Sequence, residues 1–374
     1  MNKVVILKSE LSSRGGIEKY ALYIAKAFAN RSCDVSILTT GAPPPLEEDG
    51  IKLISLGKLW GTSQMKIMQY NKRCREWLKN HPSEIIFGMD RNVHQTHYRA
   101  GNGVHAAYLL KRAKDVSLLK RLSFSINPLH RHLLRLERQI YENPSLRLLF
   151  TNSEMVRREV LKHYRIDANK VVAIHNGMEW HEMEKDFSIW EKRRKKCHNS
   201  SYQFLFVGNG FRRKGLHCCM RALAEFPEKN WRLSVVGKDR KMKYFLSLAK
   251  KLGIHDKIAF FGEEKNTRKF YQMADALIIP SFYDPFANVT VEALAMGLYV
   301  ISSKGNGGHE ALTEKNGSII ENIYDPQSFI RSLKRAFLHK KTKQSAKNIR
   351  DSVKHLDFSL QLKKIVNATL NAAS

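Results

Sequence analysis

Five short apolar runs in the second half of the chain constrain its fold more than any other feature. They recur at intervals of roughly 20 to 30 residues, and sequence with helical apolar spacing lies between them. Buried strands that alternate with helices form βαβ units, so this pattern predicts a parallel sheet covered by helices on both faces. The five runs are residues 204–208, 233–237, 258–262, 276–280 and 299–302.

The first half repeats this alternation, so we predict a second sheet of the same kind. A glycine-containing turn and a helical pattern over residues 17–28 follow its first run. The chain has 374 residues, which is too long for one typical core and suits two domains. We therefore predict an α/β protein with two doubly wound domains, residues 1–180 and 181–355. The apolar runs of the first half are residues 4–7, 35–38, 51–56, 85–87 and 148–151.

The net charge, the cysteines and the hydropathy of the chain limit the compartments and the partners that we expect for it. The formal net charge is +29, and the excess is spread over both halves of the chain. Such a surface favours a polyanionic partner, namely nucleic acid, an anionic membrane face or a phosphorylated acceptor, unless it reflects a basic proteome background. The five cysteines have neither CxxC nor zinc-site spacing, so we expect free thiols. We find no signal peptide and no apolar run of about 18 residues, and expect a cytoplasmic protein.

An acid, a turn and a second acid follow the run at residues 276–280. Asp284 precedes Pro285, and Glu292 lies eight residues after Asp284. The segment is typical of a strand, a loop and a helix N-terminus, where unpaired backbone N–H groups and the helix dipole attract phosphate. Glu292 would then accept hydrogen bonds from the hydroxyls of a sugar ring. The alternative is an ordinary Asp-Pro turn that leads into an amphipathic helix.

Two further turns after predicted strands supply glycines and cations. Gly15 and Gly16 follow the first strand of the first domain, and their spacing is not that of a dinucleotide site. Lys214 follows the first strand of the second domain, directly after Arg212 and Arg213. Fixed cations at a strand's C-terminal end would stabilise a leaving diphosphate in place of a metal ion. Of the two arginines we favour Arg213 for this role.

These motifs together resemble the signature of retaining glycosyltransferases of family 4, which has the GT-B architecture. The resemblance implies two Rossmann-like domains that face each other across a cleft, with a C-terminal helix, residues 356–374, that returns to the first domain. The chain departs from the family in having Asp284 where glutamate is usual and Ala287 where glycine is usual. The shorter acid has less reach, and Ala287 limits how closely a ligand approaches the backbone.

The resemblance also implies roles for individual residues. Asp284 would accept a hydrogen bond from the transferred sugar, with Asn102 and His105 near the reacting centre and Arg99 on an anionic group of the acceptor. The donor would be bound by two glycines, two cations, one acid and the backbone of one loop. These residues are Gly15, Gly16, Arg213, Lys214, Glu292 and the segment Phe286, Ala287, Asn288, Val289 and Thr290.

Over nearly the whole chain, the motifs are most similar to family members that glucosylate the core of bacterial lipopolysaccharide. This similarity implies transfer of glucose from UDP-glucose to a heptose of the core. It further implies a metal-independent reaction with no cofactor and no protein nucleophile. Transfer of another sugar to another glycan, from UDP-N-acetylglucosamine, UDP-galactose or GDP-mannose, remains open, as does an inactive scaffold. A nucleic-acid-binding protein is the remaining alternative, but no RRM, KH or zinc-finger pattern occurs, so we expect no nucleic acid partner.

A basic and apolar stretch over residues 105–139 favours a membrane surface as one partner. It carries eight Lys/Arg and two acids, with leucines and aromatic residues between them. Sequence of this type binds an anionic bilayer, although a helical hairpin with a solvated basic face is the alternative. Pro128 should break any single helix here. We expect peripheral attachment to the cytoplasmic face of the inner membrane.

Overall fold

The chain forms two compact units. Unit 1 comprises Met1–His175 together with Gln361–Ser374, and unit 2 comprises Asn176–Leu360. The predicted boundary at residue 180 lies close to the break between the units. The computed structural model describes residues 2–11, 16–41, 50–114, 116–193 and 201–372, so the predicted donor-binding residue Gly15 lies outside the described residues.

Unit 1 is built on a seven-stranded parallel sheet. Its strands are β1 (Lys3–Leu7), β2 (Asp34–Thr39), β3 (Ile51–Ser55), β4 (Ile85–Gly88), β5 (His97–Arg99), β6 (Leu148–Thr151) and β7 (Val171–Ala173). Their spatial order is β3-β2-β1-β4-β5-β6-β7, and each neighbouring pair is parallel. The strand order therefore changes direction between β1 and β4, which is where ligands bind in sheets of this kind.

Some helices of unit 1 begin at a residue whose side chain caps the first turn. Asn127 accepts hydrogen bonds from the N–H groups of Leu129 and His130, and Pro128 occupies the first helical turn, so a new helix starts there as the proline predicts. Ser153 caps the next helix in the same way. The helices are α1 (Gly16–Ala29), α2 (Ser63–Asn80), α3 (His105–Ala113), α4 (Leu118–Ile126), α5 (Pro128–Tyr141) and α6 (Glu154–His163).

Unit 2 contains a six-stranded parallel sheet. Its strands are β8 (Tyr202–Val207), β9 (Trp231–Val236), β10 (Ile258–Gly262), β11 (Ala276–Ile279), β12 (Tyr299–Ser303) and β13 (Gly317–Ile320). The spatial order is β10-β9-β8-β11-β12-β13. Here the order changes direction between β8 and β11, whose C-terminal ends lie side by side.

The helices of unit 2 cover both faces of this sheet. Leu205 and Leu277 belong to one apolar cluster and Phe204 and Ile278 to another, because successive strand residues face opposite sides. The helices are α7 (Trp180–Arg193), α8 (Leu216–Glu225), α9 (Met242–Lys251), α10 (Arg268–Met273), α11 (Asn288–Ala295), α12 (Pro326–Leu338) and α13 (Lys343–Ser352). The last helix, α14 (Phe358–Asn371), begins in unit 2 and continues into unit 1. Short 3-10 helices lie at Ala168–Lys170, His255–Lys257, Gly307–Ala311 and Lys354–Leu356.

The predicted architecture of two doubly wound parallel sheets is confirmed. Each apolar run named above overlaps a strand, because most of these strands are buried on both faces and their sequences are largely apolar. The edge strands β3 and β10 are only partly buried. The pattern does not predict β5, β7 and β13, which have three, three and four residues. Among the described helices, none is both long enough and apolar enough to cross a membrane.

The C-terminal helix α14 contributes to unit 1 from Gln361 onward. The apolar side chains of Leu362, Ile365 and Val366 are buried. Arg31 Nη1 donates a hydrogen bond to Asn367 Oδ1 over 2.8 Å, which ties this helix to the segment after α1.

A buried lysine links the two central strands of unit 1 at their C-terminal ends. Lys8 follows β1, and its Nζ lies 3.0 Å from Oδ1 of Asp90, which follows β4. Ser9 donates both its N–H and its hydroxyl to Asp90 Oδ2, each over 2.7 Å. The C-terminal ends of β1 and β4 are thus joined by an ion pair and side-chain hydrogen bonds, as well as by the hydrogen bonds of the sheet.

Gly215 joins the loop after β8 to the end of β11, and we expect its replacement to be costly. Its φ is +78°, and a Cβ there would lie 2.0 Å from the carbonyl oxygen of Pro280. Gly215→Ala should therefore lower the free energy of unfolding by about 3 kcal/mol, measured by urea denaturation. Gly210→Ala is the matched control, because Gly210 has a similar φ of +72° and open space around it. It should cost only about 1 kcal/mol, and equal losses in both variants would contradict the steric argument.

Candidate functional site

Three charged side chains meet at the adjacent ends of β8 and β11. Lys214 Nζ lies 2.5 Å from Asp284 Oδ2, and Arg213 Nη1 lies 3.3 Å from the same oxygen. Arg213 also donates to the carbonyl oxygen of Tyr283 over 3.0 Å. The sequence predicts that these residues share a site, and the structure brings them into direct contact. The acid is thus bound by both cations that we predict for the diphosphate.

Burial makes the lysine of this cluster depend on its partner. Lys214 and Asp284 are each 8% exposed. Burial lowers the pKa of Lys214, because a charged ammonium loses hydration, whereas Asp284 beside it raises that pKa and the neighbouring Arg213 lowers it. One carboxylate between two cations leaves a net positive charge of the kind that a phosphate group neutralises.

The backbone around Asp284 is fixed by the loop that follows β12. Asp284 donates its N–H to the carbonyl oxygen of Gly305 over 2.8 Å, and its own carbonyl oxygen accepts from the N–H of Gly307 over 2.9 Å. A Cβ at Gly305 would lie 2.4 Å from the carbonyl oxygen of Ser281. This close approach requires a glycine, and it places the carboxylate of Asp284 rigidly at the strand ends.

Asn306 organises the start of α11, and sequence reasoning missed it. Its side chain is fully buried. Oδ1 accepts from the N–H groups of Ala287 and Gly308 over 2.9 and 3.1 Å, and Nδ2 donates to the hydroxyl oxygens of Thr290 and Ser302, each over 3.0 Å. All four hydrogen-bonding positions of one amide are therefore used. Its position in a glycine-containing loop after an apolar strand is the signal that could have identified it.

The first turn of α11 offers fewer free N–H groups than the sequence predicts. Ala287 donates to Asn306 and Thr290 donates to the carbonyl oxygen of Ala287, so these two amides are occupied. The N–H groups of Asn288 and Val289 have no hydrogen-bond partner among the described residues. Within the first turn, the predicted anion site is therefore limited to the N–H groups of Asn288 and Val289.

Phe286 contributes to this end of α11 in a different way. Its side chain is buried, and its carbonyl oxygen accepts a long hydrogen bond of 3.5 Å from Nδ2 of Asn176. The same amide nitrogen lies 2.7 Å from Oδ1 of Asn288. Asn176, the first residue of unit 2, thus holds the side chain of Asn288 beside the helix end.

Glu292 lies one turn further along α11 and is partly exposed. Its Oε2 accepts a hydrogen bond of 2.7 Å from the hydroxyl of Tyr271, a contact that the sequence did not predict. Burial raises the pKa of Glu292, whereas the Tyr271 hydrogen bond and Arg268 lower it. The proposed ribose contact of Glu292 stays a prediction.

The site residues that the sequence predicts in unit 1 lie in different surroundings. Gly16 is the first residue of α1. Arg99 is 3% exposed, and its guanidinium lies 4.1 Å above the ring of Tyr20. Asn102 is exposed in the turn after β5. Arg99 therefore packs within the unit, whereas Asn102 reaches solvent.

His105 stands at the start of α3 above a buried acid that the sequence analysis did not single out. Glu137 is fully buried, and its carboxylate accepts hydrogen bonds from the His105 N–H, the Tyr164 hydroxyl and the Arg91 guanidinium. His105 Nε2 lies 3.1 Å from His130 Nδ1. Burial and the nearby cations lower the pKa of His105 to about 4, so its imidazole is neutral at pH 7.

Two family models match the chain, one to each unit. "Glycosyl transferases group 1" matches residues 188–352, which hold the cluster around Asp284. "Glycosyltransferase Family 4" matches residues 14–179. The chain is a glycosyltransferase, and each of its units matches a different model. The two matches together span most of its length and agree with the resemblance seen in the motifs.

Relatives of known structure share the fold over the full length of this glycosyltransferase. Lipopolysaccharide glucosyltransferase WaaG of Escherichia coli K12 is 24% identical over 86% of both chains. A crystal structure of WaaG matches with a TM-score of 0.77 at 23% identity, covering 98% of this chain and 99% of that one. Anabaena Alr3699/HepE in complex with UDP-glucose matches with a TM-score of 0.68 at 17% identity, covering 99% of each chain.

We expect Lys214 to depend on Asp284 in the unliganded glycosyltransferase. Asp284→Asn leaves a buried ammonium without its counter-ion and should lower the free energy of unfolding by about 3 kcal/mol. Glu321→Gln is the control, because Glu321 pairs with Lys304 at an exposed site, and it should cost less than about 1 kcal/mol.

The same pair of variants tests whether the cluster binds an anion. Added pyrophosphate should raise the melting temperature of Asp284→Asn more than that of the unaltered protein, because it supplies the missing negative charge. Thermal unfolding with and without pyrophosphate measures this difference. Equal stability of Asp284→Asn and Glu321→Gln would show that Lys214 does not need Asp284.

Proposed function

We propose that this glycosyltransferase moves glucose from UDP-glucose to a heptose of the lipopolysaccharide core, with retention of anomeric configuration and without a metal ion. The observation that carries the proposal is the contact of Arg213 and Lys214 with Asp284, beside the two free amides of α11. This arrangement offers fixed positive charge, backbone donors and an acid within one strand-end site. A diphosphate bound to a sugar needs all three.

Donor binding would exchange the partners of the cations. The phosphate oxygens of the donor replace the carboxylate of Asp284 beside Lys214 and Arg213, and the N–H groups of Asn288 and Val289 donate to the same diphosphate. Asp284 is then released to accept a hydrogen bond from a hydroxyl of the transferred sugar. Glu292 accepts hydrogen bonds from the ribose hydroxyls.

The chemical step needs no nucleophile from the protein. The bond between the anomeric carbon and the diphosphate oxygen breaks, and the acceptor hydroxyl oxygen forms a bond to that carbon from the same face. The acceptor's proton passes to the departing phosphate oxygen, so the products are the glycoside and UDP. Lys214 and Arg213 stabilise the charge that develops on the phosphate, which is the part that a metal ion plays in other transferases.

The choice of donor and acceptor rests on relatives. WaaG is named for glucosyl transfer in lipopolysaccharide synthesis, and HepE has been solved with UDP-glucose bound. A related structure is the outer-core galactosyltransferase WaaB, which matches with a TM-score of 0.68 at 16% identity. Neighbours of one fold thus differ in the sugar, and the donor is the point that an experiment must decide.

An exposed apolar surface on α3 and α4 supports the proposal of an acceptor that is held in a bilayer. We call this surface the apolar ridge, and its five apolar side chains are between 56% and 82% exposed: Leu110, Leu118, Leu119, Leu122 and Ile126. Arg121, on α4, is also exposed. Exposed leucines with nearby cations are typical of surfaces that bind an anionic bilayer, so the ridge supports an attachment of the enzyme to the membrane that holds a lipid-linked glycan.

Turnover with a core-lipid acceptor is the direct test of the proposal. UDP release from UDP-glucose should proceed in the presence of EDTA, and NMR of the product should show the α-anomer of the donor retained. Lys214→Gln should lower kcat/KM by about 100-fold, because it removes a cation from the leaving group. Lys269→Gln, at a partly exposed pair with Glu264, is the control and should leave it unchanged. Absence of turnover with every nucleotide sugar would refute the enzymatic function.

Sedimentation with vesicles that contain phosphatidylglycerol tests the apolar ridge. Leu119→Ser combined with Leu122→Ser should lower the bound fraction at least about fivefold, because each substitution removes buried apolar area from the membrane contact. Leu338→Ser is the matched control, since Leu338 is 83% exposed but lies on α12 in unit 2. Equal binding of all variants would show that the ridge does not contact the bilayer.

A further inference from the structure

Glu292 is held by one oxygen and open at the other. Its Oε2 accepts the hydroxyl of Tyr271 over 2.7 Å, and Oε1 has no hydrogen-bond partner among the described residues. Tyr271 is 1% exposed, so its hydroxyl points to Glu292 from inside the core. A carboxylate fixed in this way keeps a set direction for its second oxygen.

Tyr271 is itself fixed at both its ring and its backbone. The ring belongs to the apolar cluster on the α11 face of the sheet. Its carbonyl oxygen accepts a hydrogen bond of 3.0 Å from Nζ of Lys341, which is 2% exposed and also lies 3.3 Å from the carbonyl oxygen of Ala274. The hydroxyl therefore has little freedom to turn away from Glu292.

We propose that Tyr271 is a positioning residue for the donor, whose hydroxyl aims the free oxygen of Glu292 at the ribose hydroxyls of the nucleotide. The inference rests on the proposed function, because it assigns Glu292 to the ribose. It adds a residue that makes no contact with substrate. The proposal rests on geometry. The buried hydroxyl of Tyr271 donates to one oxygen of the Glu292 carboxylate and leaves the other oxygen open.

The charge of Glu292 is set by groups on several elements. Burial raises its pKa, the Tyr271 hydrogen bond and Arg268 lower it, and Glu179 raises it. Tyr271 thus helps to keep the carboxylate ionised, which it must be to accept two hydroxyls. Among the described side chains, the other charged or titratable groups on the elements packed against α11 are His181, Glu182, Glu184, Lys185, Asp186, Glu191 and Lys192 on α7, Tyr299 on β12, His309 and Glu310 on the 3-10 helix Gly307–Ala311, and Lys343, Lys347, Arg350 and Asp351 on α13.

Several of these groups are already paired with one another. Arg268 contacts Glu182 and Asp186, and Arg350 contacts Glu184 and the carbonyl oxygen of Ala295. None of these contacts includes the hydroxyl of Tyr271, so Tyr271→Phe removes none of them. The hydroxyl of Tyr271 is therefore the contact whose removal should change the pKa of Glu292.

Tyr271→Phe removes only this hydroxyl, and Tyr202→Phe is its matched control. The Tyr202 hydroxyl is also buried and donates to the carbonyl oxygen of Ala336 over 2.6 Å, near the start of β8. Both variants lose one buried hydrogen bond, so we expect similar decreases in the urea midpoint. Only Tyr271→Phe should change nucleotide binding.

Calorimetric titration with UDP between pH 5 and 8 is the main measurement. At pH 7 Tyr271→Phe should bind UDP about tenfold more weakly, because it loses a hydrogen bond to a charged group. The acid limb of its affinity profile should move up by about one pH unit, since the pKa of Glu292 rises and protonation then begins at higher pH. Binding of pyrophosphate, which has no ribose, should be unchanged. Titration of the UDP phosphate is common to all variants and cancels in the comparison.

Three results separate this inference from the proposed function. If the unaltered protein binds no UDP, the proposed function fails, while carbon-13 NMR of the Glu292 carboxyl in the free protein still tests the contact. That signal, assigned with Glu292→Gln, should titrate at higher pH in Tyr271→Phe. If UDP binds but Tyr271→Phe matches Tyr202→Phe in affinity and in pH profile, the positioning role is refuted. Weaker binding with an unmoved acid limb also refutes it, because a structural defect alone would give that result.

A second variant keeps the test available if Tyr271→Phe does not fold. Incorporation of 3-fluorotyrosine at position 271 keeps the ring and makes the hydroxyl a stronger donor. The acid limb should then move to lower pH, opposite to the change expected for Tyr271→Phe. An unmoved limb in the fluorinated protein would contradict the inference.

Discussion

Each parallel sheet of this chain places two central strands side by side with their C-terminal ends together. In both units a buried lysine, paired with an aspartate, joins those ends. In unit 1 the pair is Lys8 and Asp90, and in unit 2 it is Lys214 and Asp284. A buried ammonium that loses its counter-ion destabilises the fold, and removing one partner of a buried ion pair costs about 3 to 5 kcal/mol of folding free energy. In each unit, the loop that carries the lysine and the loop that carries the aspartate therefore have to fold together. A site built on these loops forms only when both are in place.

The rest of the unit 2 site depends on how the loops beside Asp284 satisfy their polar groups. Asn306 uses its whole amide to bind two loops and two hydroxyls, so the segment from Asp284 to Thr290 cannot move independently of the loop after β12. Buried polar networks of this kind are rigid only when every member is satisfied. The two amides left free on α11 are thus held at fixed positions by a residue that touches neither of them.

The fold could be predicted from the sequence because strands buried on both faces have continuously apolar sequences. That Arg213, Lys214 and Asp284 share a site was also predictable, since strand ends in a parallel sheet meet at one edge. The hydrogen-bond partners of Asp284 and Glu292 were not predictable. Asp284 binds the cations across 70 residues of sequence, and Tyr271 reaches Glu292 across 21, through packing that no local pattern records. Glu137 shows the same limit, because it lies in a stretch predicted to face a membrane and is instead fully buried beneath His105.

The C-terminal helix also determines the order in which the molecule is completed. Residues from Gln361 onward belong to unit 1, and Ile365 and Val366 are buried. A ribosome makes these residues after every residue of unit 2, and domains of a growing chain fold as units in order of their appearance. Unit 2 can therefore be completed before unit 1. The core of unit 1 stays incomplete until the residues from Gln361 onward have emerged.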